Sequence, residues 1–370
     1  MLNRPFYLPR PDQFWRLFLS RFRRPDIDLT TVELVLAEYG LALVKSPHVP
    51  GGRGRSRSLI VHTTQGKKVL KRYVPTRTLP TIVHEHSILK RLAEVDFPAP
   101  RLAVTGAGET IVSQGDSHYA LFNFIEGGFQ YHNYLLFPAQ SRRFLVIAGE
   151  TLAALHLQLA DFVPEGQNPF GFKSQAEGWW RDLDWYLDRL AHCVQETQRF
   201  KSTASTPQAD QLLQQSSSME RTLVELDRTL QQADLPRLII HSDYGPYNLL
   251  FRPNAPVTVL DFELARVDWR LSEFVHAFPH FAHYERFGFN FGKAQCLLDA
   301  YRMVLPIKSD ELRFLPIVWQ FLKIRQAIVG WHSYCETRAT LRLVQAAGYM
   351  TWVKWVTEHQ VELVNRLIAD

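Results

Sequence analysis

The chain has 370 residues, 46% of them hydrophobic and 21% charged, an ordinary globular composition that excludes a disordered or fibrous protein. Its 42 Lys and Arg against 37 Asp and Glu leave a net charge of +5, too mild for a dedicated binder of nucleic-acid polymers but suited to an anionic ligand such as a nucleotide. Cys193, Cys296 and Cys335 form no CxxC pair, which speaks against a zinc site or a disulfide framework and suits a reducing cytoplasm. No apolar run of about 18 residues predicts a transmembrane helix.

The start of the chain, "MLNRPFYLPRPDQFWRLFLSRFRRP", is Arg-rich, with Phe14, Leu17, Phe18 and Phe22 at helical spacing. Arg16 interrupts a signal-peptide core. Residues 1–29 read as an extension docked on its own domain, and a weak membrane-surface contact is the other role open to it. "TVELVLAEYGLALV" predicts a helix ending near Gly40, then a strand. "SLIVHTTQGKKVLKRYV" predicts two alternating strands around a Gly turn. "TIVHEHSILKRLAEV" predicts an amphipathic helix that the prolines of "FPAPRLAV" must end. "IVSQGDSHYALFNFIEG" predicts two more strands around a Gly-Asp turn.

Beyond this point the period becomes helical. "RRFLVIAGETLAALHLQLA" and "EGWWRDLDWYLDRLAHCV" predict long helices, the second carrying Trp179, Trp180, Trp185 and Tyr186. "KSTASTPQADQLLQQSSS" predicts a solvent loop or insertion, after which "MERTLVELDRTLQQADL" resumes a helix. The pattern from Ser272 to Asp370 is mostly helical and rich in aromatics. The sum is an α+β chain. A small antiparallel sheet with one helix occupies residues 30–125, and a larger, mainly helical lobe occupies 126–370. A cleft between two such lobes is a common ligand site.

The polar trio of "LIIHSDYGPYNLLF" lies between apolar runs: His241, Asp243 and Asn248. Asp261 follows Asn248 by thirteen positions, at the end of another apolar run. A hairpin turned at "RPNAP" would return Asp261 beside Asn248. Asn and Asp oxygens there suit Mg²⁺, a hard ion that shares its shell with phosphates. A carboxylate beside them, Asp243, can accept a proton from an attacking hydroxyl. Phosphoryl transfer further needs a cation on the phosphates and an acid to hold that cation. Lys71, on a strand and expected on the face opposite Leu70 and Tyr73, supplies the first. Glu85, on the following helix, supplies the second. Gly51 and Gly52, in "VPGGRGRS", offer a turn whose backbone could approach a phosphate.

The combination HxDxxxxN, strand Asp, strand Lys and helix Glu resembles the aminoglycoside phosphotransferase and choline kinase-like family, which has a bilobal protein-kinase-like fold. The resemblance covers about residues 35–280 and includes "HEHSILKRLAEVDFPAPRL", "GETLAALH" and "VLDFELA". It implies ATP and Mg²⁺ as cofactors and a small-molecule alcohol as acceptor: an amino alcohol, aminoglycoside, homoserine or sugar. It implies Asp243 as the base, His241 as a brace grouped with it, and Asn248 and Asp261 as metal ligands. Lys71 and Glu85 would serve the ATP phosphates, and backbone from Asn123 to Ile125 would form the adenine hinge.

Ser242 stands where the family usually has Gly, and Glu273 where an Asp commonly anchors the catalytic loop. Glu263, two past Asp261, is open to a metal-side or substrate role. Asp182 in "WWRDLDWY" and Trp331 in "GWHSYCETR" are candidates for the acceptor pocket, although such aromatics are more often core. A protein-kinase reading is weakened by the missing DFG and the short space for an activation segment. A catalytically inactive scaffold on the same fold is the competing reading, and the intact Asp243, Asn248, Asp261 and Lys71 argue against it. The expected state is monomer or homodimer, in the cytoplasm.

Overall fold

The computed structural model describes residues 27–48, 57–128, 138–204, 206–252, 254–284 and 288–368. Most of the N-terminal extension, and Gly51 and Gly52, lie outside the described residues.

The sheet lobe opens with α1 (Leu29–Glu38), whose cap Asp28 accepts a hydrogen bond from the Thr31 amide. Strands β1 (Leu43–His48), β2 (Arg57–Thr63), β3 (Gly66–Arg72), β4 (Val112–Gln114) and β5 (Ser117–Asn123) follow, with α2 (Leu79–Glu94) between β3 and β4. The sheet is antiparallel in the order β1-β2-β3-β5-β4. Gly66 takes a φ of +89° in the β2–β3 turn, which a side chain would resist.

Strand alternation sorts the two faces. Leu59, Val61, Leu70, Tyr119 and Leu121 bury against Val32, Val35 and Leu36 of α1. Tyr73, Ala120 and Phe122 pack instead with Ile82, Ile88, Leu89 and Leu92 of α2. Lys71 belongs to this second face, opposite Leu70 as expected. Tyr73, expected on the other face, shares that of Lys71, because residues two apart on a strand point the same way. The Lys71 ammonium indeed lies 4.7 Å from the Tyr73 ring centroid.

The helical lobe contains α3 (Pro138–Gln158), α4 (Leu183–Ala204) and α5 (Pro207–Gln231). After the short strands described below come α6 (Arg270–Phe281), α7 (Phe291–Val304), α8 (Ser309–Leu312), α9 (Leu315–Thr337) and α10 (Thr340–Ile368). Two sequence expectations are corrected here. The Ser- and Gln-rich stretch is helix, not loop. Thr206 accepts from the Ala209 amide at 3.2 Å, Pro207 starts α5 where no donor is needed, and Ala209, Leu212, Met219 and Leu223 bury one stripe. Trp179 and Trp180 precede α4 rather than riding on it. Asp182 starts that helix by accepting from the Trp185 amide at 3.0 Å, and Trp179 stacks on Phe172 with ring centroids 3.6 Å apart.

Four short strands carry the loops of interest. β6 (Arg237–Ile240) pairs antiparallel with β9 (Arg266–Trp269), and β7 (Leu249–Leu250) with β8 (Thr258–Val259). The β7–β8 hairpin also touches the sheet lobe, where the Val259 amide donates to the Pro98 carbonyl at 2.9 Å.

Candidate active site

β6 ends at Ile240 and the chain turns through His241 to Asn248 before β7 begins. Glu273, fully buried near the start of α6, holds the turn. Its two oxygens accept from the backbone amides of His241 and Ser242, the latter at 2.9 Å. His156 of α3 lies 3.4 Å from the same carboxylate and 2.8 Å from the Tyr301 hydroxyl. Burial pushes the Glu273 carboxyl up, but these hydrogen bonds outweigh it and hold the group below its usual range. Burial lowers the His156 pKa, with the Glu273 bond opposing.

Ser242 has a φ of +68°, the left-handed conformation that costs a side-chain-bearing residue about 1–2 kcal/mol. Gly would adopt this conformation without that cost. The serine offsets the cost through its hydroxyl, which accepts from the Arg266 guanidinium. Arg266 is itself held by Asp268 at 2.9 Å and donates to His276 at 3.0 Å.

His241 is enclosed. Its Nε2 donates to the Leu260 carbonyl at 2.8 Å and its Nδ1 accepts from the Asp243 amide at 3.2 Å. Both ring nitrogens are therefore committed to backbone, so the ring positions the loop and exchanges no proton with a substrate. Asp243 is half-buried. Its Oδ1 accepts from the Tyr247 hydroxyl at 2.6 Å and its Oδ2 from the Asn248 amide nitrogen at 3.1 Å. Burial raises the Asp243 pKa, with the Tyr247 bond opposing. Tyr247 also meets His280 Nε2 at 3.0 Å. Since the tyrosine proton goes to Asp243, His280 is the donor of that second bond. Gly245 lies under the Tyr247 ring, where a Cβ would come within 2.7 Å of a ring carbon.

The hairpin returns Asp261 to Asn248 as the spacing predicts: Leu249 pairs with Val259, and the Leu260 amide donates to the Asn248 carbonyl at 2.8 Å. Asn248 Nδ2 is fixed on the Asp243 carbonyl and carboxylate, which orients its Oδ1 as the remaining ligand atom. Asp261, at a φ of +62°, keeps its carboxylate 46% exposed. An amide oxygen and an exposed carboxylate on one hairpin end are hard donors, a set that fits a Mg²⁺-like ion sharing its shell with water and phosphate.

Lys71 reaches this end from the sheet lobe. Its ammonium is 2.9 Å from Glu85, 3.3 Å from Glu263 and 3.8 Å from Asp261. Burial alone would lower the Lys71 pKa; the three carboxylates outweigh it and raise the pKa above its ordinary value. Glu263 also accepts from Arg77 Nε at 2.8 Å. It thus stands with the lysine of the sheet lobe. Asn123 ends β5 with its side chain accepting from Lys68 at 2.6 Å, while the Ile125 backbone has no partner among the described residues.

One acceptor candidate is corrected by its burial. Trp331 is fully buried and its indole donates to Thr197 at 2.9 Å, so it lines no cleft. Its neighbours His332 and Glu336 face α4, where they meet His192. Asp182 is an exposed helix cap bordering a small groove with Arg325 and Asp227. Sequence reasoning missed Tyr247, His280 and Lys323. Tyr247 sits at a variable position of the HxDxxxxN motif, so only its aromatic bulk before Asn248 could have flagged it.

The family model described as "Phosphotransferase enzyme family" matches residues 48–302. The chain belongs to this family. It is a phosphotransferase, with an α+β bilobal kinase-like fold. It is 23% identical to a homoserine kinase of Rhodospirillum rubrum over 314 residues, 84% of this chain and 87% of the relative. Among solved structures it is similar to a microcompartment-associated aminopropanol kinase, with a TM-score of 0.60 and 16% identity over 92% of this chain and 99% of that one. An amicoumacin kinase in complex with AMP-PNP, Ca²⁺ and Ami is similar at a TM-score of 0.60 and 12% identity, covering 90% and 94%. Among the described residues no helix is long and apolar enough to cross a membrane.

Proposed function

We propose that the chain is an ATP- and Mg²⁺-dependent O-kinase that moves a γ-phosphoryl group to the hydroxyl of a small molecule. The observation that carries this reading is the Asp243 carboxylate, fixed by Tyr247 and Asn248 beside the Asn248–Asp261 pair. In this reading the acceptor hydroxyl reaches Asp243, which orients it and takes its proton as the new P–O bond forms and the bond from the γ-phosphorus to the bridging oxygen breaks, with ADP as the leaving group. Asn248 and Asp261 would hold the metal, which supplies charge neutralisation on the phosphates. Lys71, steadied by Glu85 and Glu263, binds phosphate oxygens, and backbone from Asn123 to Ile125 binds adenine.

His241 and Glu273 keep the loop in place for this. Gly51 and Gly52 keep their proposed phosphate contact. The domain reading is 1–29 as extension, 30–125 as the nucleotide lobe and 126–370 as the catalytic and acceptor lobe. The amicoumacin kinase, solved with AMP-PNP and Ca²⁺, supports a nucleotide and a divalent ion here. All proposed groups come from one chain, so a monomer suffices, working in the cytoplasm where ATP is available. Coupled ADP release with Mg²⁺-ATP and a panel of alcohols tests the reading. Absence of both ATP binding and acceptor-stimulated ADP release would end it.

A further inference from the structure

Most buried cations among the described residues face an acid. Lys71 has Glu85, Arg266 has Asp268 and Arg270 has Glu311; Arg325 makes no ion pair among these residues but feels the charge of Asp227. Lys323, on α9, does not. It is 5% exposed, and among the described residues no carboxylate stands within ion-pair distance. Its ammonium donates to Gln326 at 3.0 Å and lies 5.3 Å from the Tyr349 ring centroid. The charged or titratable groups that feel it are Arg266 of β9 and His276 and His280 of α6, all basic. Isolated burial of a charge is costly, and such groups persist where a ligand supplies the missing partner.

The position of Lys323 says which ligand. His280, in its field, opens to solvent and contacts Tyr247, which contacts Asp243, so a polar path of two short bonds joins the catalytic carboxylate to the neighbourhood of the lysine. Arg266 cannot serve an incoming anion, because its guanidinium is spent on Asp268, Ser242 and His276. An ammonium has three donors, and Gln326 uses one. What remains is a single positive charge with two open N–H directions.

We propose that Lys323 is the anion-binding end of the acceptor pocket and that the acceptor is a carboxylate-bearing alcohol, its hydroxyl at Asp243 and its carboxylate at Lys323. One unit charge matches a carboxylate better than a phosphate dianion, which commonly recruits a guanidinium fork. The pocket thereby selects hydroxy acids or amino-acid alcohols over plain amino alcohols, which carry no anion to meet Lys323. This deepens the O-kinase reading and rests on it.

The test compares homoserine with 3-amino-1-propanol, which share the hydroxyl, chain and amine and differ by the carboxylate. The wild-type chain should favour homoserine by about 10- to 100-fold in kcat/KM, the worth of one charge-assisted hydrogen bond. Lys323→Met should collapse that ratio toward one through the KM for the acceptor, with the KM for ATP as the reference that a merely structural lysine would also disturb. Lys323→Gln replaces it if the Met variant does not fold. Binding of 2-aminobutyrate, the same skeleton without the hydroxyl, is measured separately by calorimetry and should weaken at least about 10-fold in the variant. A ratio that survives the substitution, or 2-aminobutyrate binding indifferent to Lys323, overturns the carboxylate site. Tighter competition by inorganic phosphate than by 2-aminobutyrate overturns it in favour of a phosphate. Lys323-dependent binding without ADP release from any alcohol would instead remove the kinase reading and leave the anion site standing.

Discussion

Lys71 and Lys323 are both buried lysines beside the same catalytic loop, and their surroundings are opposite. Lys71 lies among Glu85, Glu263 and Asp261, and its pKa is raised. Lys323 lies among Arg266, His276 and His280, and burial first, then Arg266, lowers its pKa to about 7. The phosphate-side cation is held in register by acids of the chain itself, before any ligand arrives. Lys323 has no such acid among the described residues, and in the proposed reading its complement is the carboxylate of the acceptor. Stability is invested on one side of the loop and withheld on the other, the pattern expected where a scaffold positions a cofactor and a pocket discriminates a substrate.

Asp243 stands between the two regions, and its loss should produce the largest effect. Asp243→Asn is expected to cut kcat about 10²- to 10⁴-fold while ATP affinity, measured by calorimetry, changes little. Unaltered turnover would remove Asp243 from its role. On the Lys71 side, Lys71→Met leaves Glu85 buried and unpaired. The variant should lose about 3–5 kcal/mol in urea unfolding and raise the KM for ATP. A neutral result would mean that Glu263 and Arg77 close the gap.

On the Lys323 side the same substitution should act with the opposite sign. Replacing a buried, unpartnered charge by an apolar chain of similar size is expected to stabilise by about 1–4 kcal/mol near pH 6.5. The pH dependence follows from the lowered pKa. Between about pH 7 and the ordinary lysine value of 10.5 the unfolded chain holds the proton and the folded chain does not, so wild-type stability rises with pH across that window. The advantage of Lys323→Met should therefore be full below pH 7 and fade by pH 10.5. Urea midpoints at pH 6.5 and 9.5 measure it, and a constant difference would show that Lys323 is not buried as a charge. The smallest effect belongs to Ser242→Gly, which relieves the left-handed strain but loses the bond to Arg266. The two nearly cancel, and Tm should move by only a few degrees.

The sequence carried the nucleotide and metal side of this comparison far better than the acceptor side. Asp243, Asn248 and Asp261 are close in the chain, so strand alternation and a hairpin suffice to bring them together, and β7 and β8 form that hairpin. Lys71 and Glu85 lie on consecutive elements that pack face to face. Tyr247, His280 and Lys323 come from a motif loop and two separate helices, and their placement depends on how α6 and α9 pack, which no spacing encodes. The same limit explains Trp331: an aromatic on a helix has the same spacing whether it faces a pocket or, as here, Thr197. The Ser- and Gln-rich stretch misled because composition outweighed its stripe of Ala209, Leu212, Met219 and Leu223.

The bond from Val259 to Pro98 has a mechanical consequence. Together with Arg77 on Glu263, it rivets the metal-side hairpin to the sheet lobe, although the hairpin belongs by sequence to the helical half. Bonds from the Gln167 amide to the Pro80 carbonyl at 3.1 Å and from the Glu165 amide to the Ser87 hydroxyl at 3.1 Å fasten the same two lobes along α2. Phosphates bound at Lys71 and Asp261 would sit on this fastened seam, so that the two halves would grip the phosphoryl donor as one piece.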